Sequence, residues 1–124
     1  MSYLNDEVYD SGLDWIVTNG TRLDICSQEP TNYAQATTDG TYSLGYKSGI
    51  GIAAPSARVG GGREVVVSAI TDGVVTETDI ATHWAITNGS DTLVAAGELS
   101  SPQSVTDGNT FTLTEFTIGI PAPV

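Results

Sequence analysis

Residues 69–89 read AITDGVVTETDIATHWAITNG, with alternating β-branched and polar side chains set between two Asx-Gly pairs, Asp72-Gly73 and Asn88-Gly89. Asx-Gly pairs tolerate positive φ and suit tight hairpins, and alternation on either side of them is the sequence pattern of strands with one buried face. The stretch therefore predicts EVVVSAI (64–70), VVTETDI (74–80) and THWAIT (82–87) as strands, with turns at both Asx-Gly pairs. TLVAAGEL (92–99), a short piece QSVT (103–106), a third turn at Asp107-Gly108 and a final strand TFTLTEFTIGI (110–120) continue the series. In that last strand the period of two shifts by one residue at Glu115, which a β-bulge would accommodate by adding one residue to one strand. Regular antiparallel strands over 64–120 predict a mainly β fold, an antiparallel β-sandwich or jelly-roll-like domain.

Working outward, LNDEVYDSGLDWIVTN (4–19) places apolar residues at three-to-four spacing, with Asp6, Glu7 and Asp10 toward the positive end of a helix dipole and Gly20 as a stop. One short N-terminal helix is expected there, and Asp6, Asp10 and Asp14, four apart, read as a solvated face. TRLDICS (21–27) reads as the first strand. Between it and residue 64 lies a region rich in Gly, Ser, Thr and Pro, residues 28–63, expected as a long loop with at most a short strand in TYSLGY. Long loops in compact domains are functional or mobile.

The 124 residues suit a single domain with one core. Fifteen acids against four bases give a formal net charge of −11, which disfavours nucleic acid and anionic membranes as partners, because phosphate binding needs a basic patch. Three of the four bases, Lys47, Arg58 and Arg63, fall within the loop region, which makes Tyr46, Lys47, Arg58 and Arg63 the candidate contacts of an arm that touches a partner. The single cysteine, Cys26, excludes an intrachain disulfide and alternates with Leu23 and Ile25 as a small buried hydrophobe would, the other reading being an intersubunit disulfide. The first ten residues lack a signal-peptide pattern, and no apolar run approaches the ~20 residues of a membrane span.

Chemistry-bearing motifs are sparse. The lone histidine, His83, has Asp79 four residues upstream but no nucleophile elbow and no second metal ligand nearby. On a strand, His83 and Trp84 take opposite faces, which sends Trp84 to the core and His83 outward. GGGR (60–63) lacks the Gly-Lys-Ser/Thr ending of a phosphate loop, and DGN (107–109) lacks the remaining calcium-ligand spacings. Glu77 and Asp79 share a strand face, as one acidic pair among fifteen acids will. No catalytic, metal or cofactor residues are expected, and no cofactor.

YLNDEVYDSGLDWI, TRLDICSQEPTNYAQA leading to YSLG, GREVVVSAITDGVVTETDIATHWAITNG and LVAAGELSSPQSVTDGNTFTLTEFTIGIP together give a layout that resembles small structural proteins of tailed-bacteriophage virions. The resemblance spans nearly the whole chain and is one of layout, a front helix followed by Ser/Thr/Gly-rich β structure. It implies a non-enzymatic virion protein, made in the host cytoplasm, most simply a capsid decoration or cement protein that bridges subunits of the major capsid protein. It implies a homo-oligomer, with a trimer among the expected forms, as repeated symmetric interfaces favour. A tail, collar or fibre-associated adaptor is the second reading. A carbohydrate-binding module is the third, with Tyr33, Tyr42 and Tyr46 as sugar-stacking aromatics.

Overall fold

A computed structural model describes residues 3–123. The chain is mainly β and antiparallel. Its elements are α1 (Asp6–Asn19), β1 (Arg22–Cys26), α2 (Tyr33–Thr37), β2 (Ser43–Ser48), β3 (Ser56–Ala57), β4 (Arg63–Val67), β5 (Ile70–Val75), β6 (Asp79–Thr87), β7 (Leu93–Val105), β8 (Thr110–Leu113) and β9 (Phe116–Ile120). A six-stranded sheet runs β7-β6-β1-β2-β5-β8, and a three-stranded sheet runs β3-β4-β9. The inward residues of both, among them Leu23, Ile25, Val67, Val75, Ile86 and Phe111, form one core. This is a sandwich-like arrangement, in which each face buried against the other repays the ordering of its strands.

The front helix begins two residues later than the expected residue 4, because Asn5 caps it by accepting from the Glu7 backbone N–H at 2.8 Å. Tyr9 and Leu13 are buried, and the helix packs on β4, where Arg63 grips Asp10. Gly20 ends the helix through close packing: a Cβ there would lie 2.8 Å from both Ile16 O and Ile52 Cδ1.

Residues 28–63 are not one loop. They contain α2, the two-residue β3 and, above all, β2, an interior strand of the large sheet that pairs with β1 on one side and β5 on the other. Gly45 and Lys47 gave β2 a weak local signal, enough for no more than a short strand in TYSLGY, but Gly45 is needed where the backbones of β2 and β5 meet at Val74 and Val75. α2 covers the outer face of β1, so that both faces of that strand are buried.

Two turn assignments also change. Asp72-Gly73 lies inside β5, beside an irregularity in its pairing with β8; the ring of Phe111 occupies the space a Cβ on Gly73 would need. EVVVSAI is split instead at Ser68-Ala69, where the chain passes from the small sheet to the large one. The period shift at Glu115 is likewise a change of sheet and not a bulge, with β8 in the large sheet and β9 in the small one. Asn88-Gly89 does close the β6–β7 hairpin, with Gly89 at φ +76°. Asp107-Gly108 is a turn with Gly108 at φ +89°, but it connects β7 to β8, which occupy opposite edges of the large sheet. That connection requires the sheet to curl until its two edges approach.

TLVAAGEL and QSVT are one strand, β7, with a large bulge. His83 pairs with Glu98 while Ala81 pairs with Gln103, so four residues of β7, 99–102, stand opposite Thr82 alone.

Candidate functional site

The four expected contact residues fall into two groups, Tyr46 and Lys47 in β2 and Arg58 and Arg63 on either side of the β3–β4 turn, and each makes contacts within the chain. Tyr46 lies in β2 with the Arg22 guanidinium 4.5 Å from its ring centroid. Lys47 Nζ meets Asp72 Oδ2 at 3.0 Å. Arg58 donates to Gly61 O at 3.1 Å. Arg63 holds Asp10 with two hydrogen bonds, 2.9 and 3.3 Å. Residues 46–63 therefore make no free arm, and the cations meant for a partner brace the fold. Of the aromatic trio expected to stack on sugars, Tyr46 carries the Arg22 guanidinium and Tyr42 packs on the small cluster beneath α2, while Tyr33 is half-buried at the start of that helix.

The outer face of β1 carries a buried polar cluster. Asp24 is fully buried, accepting from Arg22 Nε at 2.8 Å, Arg22 Nη2 at 3.0 Å and Ser43 Oγ at 2.7 Å. Burial pushes its carboxyl above the ordinary value against the pull of these donors, and the same contacts raise Arg22 further and keep it charged. Beside it, burial drives the Cys26 thiol up to about 12, next to Ala36 and Ala85. A thiol so held is protonated and inert, which removes the intersubunit disulfide as a reading.

His83 and Trp84 occupy opposite faces of β6. Trp84 packs on the main core. His83 aligns with Cys26 on the other face, and its Nδ1 lies 2.8 Å from Thr82 Oγ1. Thr82 gives its one proton to Ser27 O at 2.9 Å, so in this arrangement His83 Nδ1 is the donor to Thr82. Among the described residues, no three His, Cys, Asp or Glu side chains gather as a metal site. No helix among them is long and apolar enough to cross a membrane.

Two surface features remain without an internal partner. The first is on α1. Val8 and Trp15 lie on one ridge of the helix with Ser11 between them and are 56% and 49% exposed, and Leu4, just ahead of the Asn5 cap, is 38% exposed. Positions i, i+3 and i+7 lie along the 3-4 seam on which helices pack against neighbours. The sequence carried this signal, but Leu4 and Val8 read as members of the core stripe that belongs to Tyr9, Leu13 and Ile16.

The second is a groove of about 540 Å³ where the curled sheet comes together, between the bulged part of β7 and the β8–β9 crossing. Trp84, Leu99, Leu113 and Phe116 supply its apolar lining, and Ser100, Ser101, Gln103, Thr114, Glu115 and Thr117 much of the polar remainder. The Trp84 and Phe116 rings lie 4.7 Å apart at 40°. Gly97 makes room for the indole, since a Cβ there would lie 2.8 Å from Trp84 Cζ2. Gln103 Nε2 donates to Thr112 O at 3.1 Å and ties the two sheet edges together beside the groove. The polar insertion LSSPQ within a strand run and the period shift at Glu115 were its only sequence traces. Comparison of the chain with known protein families, curated proteins and solved structures finds no match.

Proposed function

We propose that this protein is a non-enzymatic structural component of a bacteriophage virion, a decoration or cement protein that docks on the assembled shell. The observation that carries the reading is the outward seam of α1, Val8 and Trp15, with Leu4 just ahead of the helix cap, apolar side chains beside a helix whose other face is already satisfied. Exposed apolar rows with polar margins are the signature of protein–protein contact. Glu7 and Asp14 lie beside the seam, and three of the four cations of the chain are paired with Asp24, Asp72 and Asp10. A second copy would set acids against acids there, so the seam suits a partner with an apolar centre and a basic rim, such as a capsid subunit. Self-association of the decoration protein, as a trimer or otherwise, then uses a different face.

The test is incorporation into particles. Val8→Asp changes an exposed position and shifts folding stability by no more than about 0.5 kcal/mol, whereas Trp15→Ser also loses the buried half of its indole, about 2 kcal/mol, and is compared only after its folded state is verified by circular dichroism. Either one abolishes binding to stripped particles if the seam docks. Copy counting on purified particles distinguishes the roles: hundreds of copies whose removal weakens the shell support cement, and a dozen or fewer support a tail or collar adaptor. Full incorporation of both variants would refute the seam, and absence of the protein from particles would refute the virion role.

A further inference from the structure

The groove between β7 and the β8–β9 crossing belongs to neither α1 nor its proposed partner. We infer that it is a binding site for a neutral saccharide. Trp84 and Phe116 pack on each other at a tilt, and together they give the groove a continuous aromatic lining. Sugar rings present C–H faces to such surfaces and hydroxyls to their edges, and pockets that fix small ligands combine an apolar lining with a few placed polar groups. Here those groups are the hydroxyls of Ser101 and Thr114 and the carboxylate of Glu115, which accepts hydrogen bonds from sugar hydroxyls.

Charge selects among ligand classes. The lining includes Glu98 and Glu115 and contains no Lys, Arg or His, so phosphorylated, sulfated or carboxylated ligands meet negative charge with nothing to neutralise it. A purely apolar ligand would strip water from the hydroxyls and carboxylate without replacing their hydrogen bonds. A neutral, hydroxyl-rich ring satisfies both halves of the surface. The fold also holds this lining in place independently of ligand: Gly97 accommodates the indole, and Gln103 bridges to Thr112 O across the sheet edges.

The experiment is an NMR titration of the full chain with maltohexaose, cellohexaose and chitohexaose, each to ~10 mM, where a site with a Kd near 1 mM is nearly saturated. The two tryptophans give separate indole N–H signals. Binding in the groove moves that of Trp84 saturably with at least one of the three sugars and leaves that of Trp15, on α1, in place. Trp84→Leu removes the platform and the binding. Glu115→Ala, at an exposed position that folding tolerates, weakens binding about tenfold, the value of one lost charge-assisted hydrogen bond. The inference is overturned if none of the three sugars moves the Trp84 signal, if Glu115→Ala binds as tightly as the parent, or if a sulfated oligosaccharide binds better than the neutral ones. None of these results bears on particle docking, which is read from α1 variants.

Discussion

Replacing Arg22 by methionine removes the cation from a carboxylate that has no access to water. Asp24 is 0% exposed and loses two of its three donors, at 2.8 and 3.0 Å, keeping only Ser43 Oγ at 2.7 Å. Breaking a buried pair from one side costs about 3–5 kcal/mol, since the remaining charge stays desolvated. With a urea slope of about 1.5 kcal/mol/M, that is a fall in the unfolding midpoint of roughly 2–3 M. The cost depends on pH with a definite sign. In the intact protein burial already holds the Asp24 carboxyl above its ordinary value, and loss of Arg22 lifts it further. Over the window between the unfolded and the raised folded value, the native state keeps a proton that the unfolded state has released. Stability therefore falls as pH rises through that window, and the deficit is greatest near pH 7 and shrinks on acidification toward the unfolded carboxyl value of about 4. Urea melts of Arg22→Met at a series of pH values, repeated with Asp24→Asn in place, test this. The double variant has no ionisable group at position 24 and loses the added slope. A deficit below about 1 kcal/mol at neutral pH, a deficit equal at all pH values, or a slope that survives in the double variant would each refute the account.

Three further outcomes are expected. Cys26, pushed up to about 12 by burial, does not react with dithionitrobenzoate in the native state at pH 8 and reacts at once in urea; prompt native reaction would contradict its burial. Its raised folded value also means that stability is whole below the unfolded thiol value of 9.0 and is lost as pH rises from there toward 12, by about 1.4 kcal/mol per pH unit, a slope that Cys26→Ala lacks in parallel melts. Gly73→Ala costs about 2–3 kcal/mol, because its methyl enters the space of the Phe111 ring, whereas Gly108→Ala, with open space around it and only its φ of +89° to resist, costs about 1–2 kcal/mol; the reverse order in denaturant melts would restore Asp72-Gly73 as a turn.

The contrast between those two glycines shows where sequence reading succeeds and where it stops. Asn88-Gly89 and Asp72-Gly73 are alike as dipeptides, and glycine serves two physical purposes, positive φ and the absence of a Cβ. At Gly89 the first applies and local alternation finds the hairpin; at Gly73 the second applies, and the reason for it is Phe111, far along the chain. The same divide separates the strands. Trp84 facing the core and His83 facing away follow from period two alone, and β6 was readable because Ile80, Trp84 and Ile86 carry strong strand preference. β2 was readable only as a short strand in TYSLGY, because SLGYKS is held by partners on both sides, and its place in the interior of the sheet leaves no mark in six residues.

The groove depends on the same kind of distant information. A bulge at Glu115 and a change of sheet at Thr114-Glu115 both shift the alternation by one residue, so the pattern alone cannot separate them. Their consequences differ: a bulge leaves Phe111 and Phe116 in one sheet, whereas the crossing puts Phe111 in the large sheet and Phe116 opposite Val67 in the small one. Only the crossing brings Phe116 to Trp84, and only the curl of the large sheet brings the bulged residues 99–102 of β7 beside that pair. The groove thus arises from two irregularities, the crossing and the four-residue bulge. A deletion that shortened the 99–102 bulge to one residue would regularise β7 against β6 while leaving Trp84 and Phe116 in contact. It should preserve the fold and remove one wall of the groove, so saccharide binding would be lost with the tertiary spectrum of Trp84 retained.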